Sequence, residues 1–159
     1  MNEQKEYVLD RFLKNIDELY DKISSWLSLY GLTTIQEGIE INEEASGTYT
    51  TNKLIIQDKK KETVASIIPV GAWVIGANGR VDLIGKFDKV IIVNLEKSEP
   101  ALSTTIKVGV NQETLTRPFY KGIKKTGWYW IEDKRRGKAH LLGKNLFLEL
   151  LSEVSDYEF

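Results

Sequence analysis

Cysteine is missing from this chain of 159 residues. Its absence excludes disulfide bonds, a thiolate nucleophile, zinc–thiolate sites and iron–sulfur clusters. It also agrees with a reducing compartment. Histidine occurs once, at His140. A metal centre needing two imidazoles from one chain is therefore excluded, and a Ser-His-Asp device would have to use His140. No stretch reaches the ~18 consecutive apolar residues of a membrane span. The opening residues, MNEQKEYVLDRF, are acidic and polar, whereas a secretory signal starts basic and then turns apolar. The expectation is a cytoplasmic protein that makes no membrane contact. Neither sign of charge dominates: Lys and Arg number 22 against 23 Asp and Glu, a formal net charge of -1.

What is present suits one folded domain spanning residues 1–159. Hydrophobic residues make up 42% and aromatics 10%, enough to build a core, and the 28% of charged residues is ordinary for a soluble surface. A chain of this length buries roughly two-thirds of its unfolded surface without staples.

Residues 7–30 carry the clearest periodicity. Leu9, Phe12, Leu13, Ile16, Leu19, Tyr20, Ile23, Trp26, Leu27 and Tyr30 line one wide stripe, and Asp10, Arg11, Lys14, Asp17, Glu18, Asp21 and Lys22 lie opposite. That pattern predicts an amphipathic helix laid on a sheet, with Gly31 as its stop.

From residue 33 to 142 the period becomes two, which predicts strands. They cover 33–41, 49–57, 63–74, 80–85, 89–95, 104–110, 114–120, 127–132 and 138–142. Pro69 and Gly71 interrupt the third, marking it as an edge strand, a bulge or two short strands. Asn78-Gly79 has the composition of a type I′ hairpin turn. Asn145 suits the N-cap of a last helix over 145–156. Short strands joined by tight turns argue for antiparallel pairing. The expected class is α+β: an N-terminal amphipathic helix packed on a curved, mainly antiparallel sheet, up to a partial barrel, with a short C-terminal helix.

The near-zero net charge conceals an asymmetry. Residues 1–44 hold four basic and ten acidic side chains, a balance of -6. Residues 117–144 hold Arg117, Lys121, Lys124, Lys125, Lys134, Arg135, Arg136, Lys138 and Lys144 against Glu132 and Asp133, a balance of +7. Phe119, Tyr120, Trp128, Tyr129 and Trp130 are interleaved with these cations. Cations that neutralise phosphates, beside aromatics that stack on bases, suit single-stranded nucleic acid. A basic surface suits an acidic protein partner equally, and basic hairpin tips are also common as plain solvated turns. The binding residues expected from this segment are Arg117, Lys121, Lys124, Lys125, Trp128, Trp130, Lys134, Arg135, Arg136 and Lys138.

Catalytic signals are sparse. Gly76-Ala77-Asn78-Gly79 precedes a strand, whereas a phosphate-cradling loop opens a helix. No GxSxG occurs, and His140 reads as a half-exposed strand histidine. Glu37, Glu40, Glu43 and Glu44 lack the oxygen-ligand spacing of a calcium loop. Asp82 ends one apolar strand, and Asn94-Leu95-Glu96 ends the next. This segment resembles the centre of the PD-(D/E)xK nuclease family, in which two carboxylates on adjacent strands bind a divalent cation. Here Asn94 stands at the second acid, Glu96 stands where the lysine belongs, and Lys97 comes one residue late. The resemblance implies a degenerate or inactive relative with Asp82 and Glu96 as vestigial metal carboxylates. The residues taken together point to a binding module without a cofactor rather than an enzyme.

Overall fold

The structure, a computed structural model, describes residues 3–96, 101–108, 111–118, 123–133 and 137–159. Helix α1 runs Glu3–Ser28 and buries Val8, Phe12, Ile16, Leu19, Tyr20, Ile23 and Leu27, the stripe expected from the sequence. It starts a turn early, where Glu3 and Glu6 meet the positive end of the helix dipole. It ends when Gly31 turns to φ 73, with the Gly31 N–H on Ser28 O at 3.2 Å and the Leu32 N–H on Leu27 O at 3.3 Å.

Nine strands follow among the described residues: β1 Thr33–Glu43, β2 Gly47–Gln57, β3 Thr63–Gly71, β4 Arg80–Gly85, β5 Lys89–Leu95, β6 Ala101–Val108, β7 Asn111–Pro118, β8 Gly127–Asp133 and β9 Lys138–Leu141. Helix α2, Lys144–Ser155, closes the chain. Seven strands form one antiparallel sheet in the order β1-β2-β3-β4-β5-β8-β9. The fold class is therefore α+β, and the sheet is not closed into a barrel. One face is already covered: Phe147, Leu150, Leu151 and Val154 of α2 join the α1 stripe over Leu54, Ile56, Ile67, Val81, Leu83 and Ile92. Trp26 and Phe147 meet between the helices, with ring centroids 5.8 Å apart. At the β5-β8-β9 end the other face is apolar too, with Val93, Leu95, Tyr129, Ile131 and Ala139. No described helix is long and apolar enough to cross a membrane.

Strands β6 and β7 do not extend the main sheet. They pair with each other as a separate ribbon, while β5 pairs directly with β8, from Ile92 opposite Trp130 to Leu95 opposite Gly127. The interruption in β3 is a register shift between Pro69 and Gly71 within an interior strand, not an edge. Two residues beyond the Leu54–Ile67 pair, Pro69 has no N–H to give β2. The Tyr20 hydroxyl supplies the missing donor, reaching Asn52 O at 2.7 Å.

The hairpin turn lies elsewhere than Asn78-Gly79. The chain reverses at Ile75-Gly76, where the Ala77 N–H meets Val74 O at 3.1 Å and Gly76 takes φ 81. Asn78 and Gly79 are drawn into pairing with β5 instead, through Asn78 N–H to Asn94 O (2.8 Å) and Asn94 N–H to Gly79 O (3.0 Å). Gly79 is nevertheless required. Its φ is +138, and a Cβ there would lie 2.3 Å from the Phe12 ring. At α2 the N-cap is Gly143, not Asn145, and no side chain caps the helix. The Leu142 N–H is still bonded to Trp128 O at 2.9 Å, so the chain enters the helix one residue later without room for a longer lead-in.

Phe12 is fully buried between α1 and the sheet. Phe12→Ala is expected to lower stability by about 3–5 kcal/mol in chemical denaturation. Tyr20→Phe leaves Asn52 O without its donor and should cost about 1–3 kcal/mol. Burial, reinforced by Asp17, also raises the Tyr20 hydroxyl well above its ordinary 10.0, and burial with Glu43 raises Tyr49 likewise. The folded chain holds these protons while unfolded tyrosines ionise, so stability is intact below about pH 10 and falls above it. Denaturation midpoints measured from neutral to alkaline pH should fall less steeply in Tyr20→Phe than in the parent.

Candidate functional site

The basic segment divides between surface and core. Arg117 sits on β7, and Lys121, Lys134, Arg135 and Arg136 lie outside the described residues, as do Phe119 and Tyr120. Lys124 and Lys125 are exposed on the turn leading into β8. That turn is held from beneath by Tyr129, itself fully buried. The Tyr129 hydroxyl accepts the N–H groups of Lys124 and Lys125, each at 3.0 Å, and donates to Lys125 O at 2.6 Å. One donor and two lone pairs are thereby all used, and the two lysines stand on a fixed backbone. Lys138 is exposed on β9 and pairs with Glu132 at 3.3 Å. At that exposure the pair adds little to stability.

The aromatics of this segment are otherwise engaged. Trp128 is 7% exposed and its indole N–H reaches Asn15 O on α1 at 3.1 Å, so it has no free face for a base. Trp130, on the same sheet face, is half-buried and stacks on His140 with centroids 5.2 Å apart. His140 is half-exposed, and its Nε2 lies 3.3 Å from Glu132. No nucleophile is placed beside it among the described hydrogen bonds.

The two carboxylates of the nuclease-like reading are separated by the pleat. Asp82 lies opposite Ile91, while Glu96 shares its parity with Ile92 and Asn94. Asp82 therefore faces away from the helices, gripped by Arg80 through Nε at 2.8 Å and Nη2 at 3.0 Å, with Lys89 at 4.0 Å. Glu96 faces α1, where Arg11 Nη1 reaches it at 3.1 Å and Asn78 Nδ2 at 3.2 Å. Opposite faces deny them a common cation, which overturns the metal assignment. Among the described residues no cluster of three His, Cys, Asp or Glu side chains forms.

The acidic cluster at the end of β1 also has a structural task. Glu43 accepts the Tyr49 hydroxyl and the N–H groups of Ala72 (3.0 Å) and Trp73 (3.1 Å), which ties the β1–β2 arm to the chain leaving β3. Glu37 pairs with Lys53 across the strands at 3.7 Å. Glu43, Arg11 and Tyr129 carry structural tasks that sequence reasoning did not assign them: Glu43 and Arg11 find partners on elements remote in the chain, while the Tyr129 hydroxyl turns back onto the Lys124-Lys125 backbone just before it.

Asp82 is 5% exposed, and Arg80 is its bidentate partner. Arg80→Leu, which strands that carboxylate, is expected to destabilise by about 1–3 kcal/mol in urea titration. Adding Asp82→Leu should recover most of the loss, because replacing both partners by apolar groups leaves no buried charge unpaired. Compared with known proteins, the chain matches no family model, no curated protein and no solved structure.

Proposed function

We propose that the protein is a binding module rather than an enzyme, and that its working surface is the basic segment 117–144, which contacts the phosphates of nucleic acid. The observation that carries this reading is the Lys124-Lys125 turn. Both side chains are exposed, and the Tyr129 hydroxyl fixes the backbone that presents them. A turn already ordered loses less conformational entropy on binding than a mobile one. The segment that holds this turn carries an excess of +7 in sequence, a charge suited to an anionic partner.

The engagement of Trp128 and Trp130 changes the kind of contact proposed. With Trp128 in the core and Trp130 on His140, stacking on bases falls away and attraction to the backbone remains. Binding then follows charge and not base sequence, and single and double strands are held alike. A cytoplasmic setting, where nucleic acid is abundant, belongs to the same reading.

Fluorescence anisotropy with labelled single-stranded and duplex oligonucleotides of mixed sequence tests it. Binding is expected at low salt, with affinity falling steeply as salt rises through counterion release. Alanine at Lys134, Arg135 and Arg136 together should leave the unfolding midpoint unchanged and abolish binding, and Lys124→Glu with Lys125→Glu should weaken it at least tenfold. Binding to polyglutamate but not to either oligonucleotide would transfer the surface to an acidic protein partner. Absence of binding to all three at low salt would reject the proposal.

A further inference from the structure

Among the described strands, β1 and β9 are the two edges of the main sheet, and they are unequal. An edge strand offers unpaired N–H and C=O groups along its free side, and proteins blunt that template with short strands, lysine, proline or bulges. The β9 edge is blunted. It is four residues long, opens on Lys138 and lies beside a register shift in its pairing with β8. The β1 edge is not. It runs for eleven residues, TTIQEGIEINE, without lysine or proline, and pairs with β2 from Thr33 opposite Gln57 to Glu43 opposite Gly47 with no shift. Gln36, Glu37, Gly38, Glu40 and Asn42 are exposed along it, and Ile35 is 46% exposed. Of its three carboxylates, Glu37 is paired with Lys53, and Glu43 holds the N–H groups of Ala72 and Trp73.

At the midpoint of β1 stands Gly38, which the single chain does not require. Its φ is not positive, its pairing with Asn52 carries no bulge, and a Cβ there would meet nothing nearer than Asn52 Oδ1, at 3.8 Å. Glycine inside a strand weakens it, and the use that remains is to let another backbone come close. The sequence on either side of Gly38 is complementary to itself. When two β1 strands run antiparallel with Gly38 opposite Gly38, Glu37 lies opposite Ile39, Gln36 opposite Glu40, Ile35 opposite Ile41, Thr34 opposite Asn42 and Thr33 opposite Glu43. The whole strand is used, no carboxylate opposes a carboxylate, and the Gln36 amide has Glu40 to donate to. A register centred on Glu37 or on Glu40 would instead set like charges against each other, which is destabilising.

We infer that β1 pairs antiparallel with β1 of a second copy of this chain, about a two-fold axis at Gly38, so that two seven-stranded sheets become one. A two-fold interface has to be complementary to itself, and the residues around Gly38 meet that condition. The pairing adds roughly ten backbone hydrogen bonds. It lays the exposed Ile35 beside Ile41 of the second copy. Opposite residues in a ladder share a face, so the helices of both copies lie on the same side of the joined sheet. The inference concerns an edge remote in sequence from residues 117–144, and it stands whatever that segment binds.

Sedimentation velocity of the full chain over a hundredfold range of concentration tests it, and a reversible monomer–dimer equilibrium is expected. Gly38→Lys sets two cations at the axis but enters open space in the single chain. It should shift the equilibrium at least tenfold toward monomer and leave the unfolding midpoint of the dilute chain unchanged. Cysteine crosslinking reads the register, because the chain has no cysteine of its own. Opposite Cα atoms in an antiparallel pair lie about 4.5–5.5 Å apart, within reach of a disulfide. Gly38→Cys is therefore expected to link to its copy under oxidation at least tenfold faster than Gln36→Cys or Glu40→Cys. In each of those two the like positions lie about 14 Å apart. A mixture of Gln36→Cys with Glu40→Cys should link one to the other. Should Gly38→Lys fail to fold, the cysteine series decides alone. A chain that stays monomeric throughout, a dimer that persists in folded Gly38→Lys, or equal linking of the three single-cysteine variants would overturn the inference.

Discussion

Everything in this molecule is arranged around one apolar contact, the α1 stripe pressed on the inner face of the sheet. Phe12, Ile16, Leu19, Ile23 and Leu27 are each 1% exposed or less, and so are Leu54, Ile56, Ile67, Val81, Leu83 and Ile92 beneath them. Close packing at this density leaves neighbours little freedom. Gly79 has to be a glycine because the Phe12 ring lies where its Cβ would be. Tyr20, carried on the same helix face, brings a hydroxyl to the point where Pro69 interrupts the ladder. Trp128 reaches back from β8 to Asn15 on the helix. The polar bonds that look like separate devices are the means by which one helix is seated.

The basic segment shows how burial and surface function compete for the same residues. Tyr129 faces a second apolar cluster, and its hydroxyl orders the turn that exposes Lys124 and Lys125. The apolar body of one side chain thus supports the core while its tip shapes a surface. Trp128 and Trp130, two positions apart and so of one parity, face the helix side, where packing and His140 absorb them. What is left for a partner is charge without stacking.

Much of the fold was legible. The helix stripe, the bounds of β4 and β5, and the antiparallel class all follow from periodicity, which reports the face each residue must bury. The turn at Ile75-Gly76 was not legible, because Asn78-Gly79 has the better local composition and loses only to pairing with Asn94. The burial of Trp128 was only half legible. A run of three aromatics suits a strand covered on both faces, as this one is, but does not say which ring keeps a face free for a ligand. The separation of Asp82 and Glu96 was accessible in principle. Strand parity places them on opposite faces once the β4–β5 register is known, and no local feature supplies that register.

The direct pairing of β5 with β8 has an architectural consequence. Leu95 and Gly127 stand opposite each other, so the chain leaves the sheet and returns to it at one place. The entropy of closing such an excursion grows only with the logarithm of its length. Residues between Glu96 and Ile123 can therefore be lengthened, shortened or exchanged at little cost to the seven-stranded register. The fold has in effect a socket between two neighbouring strands, and a lineage carrying it is free to vary what is plugged in there while the helix-covered sheet stays the same.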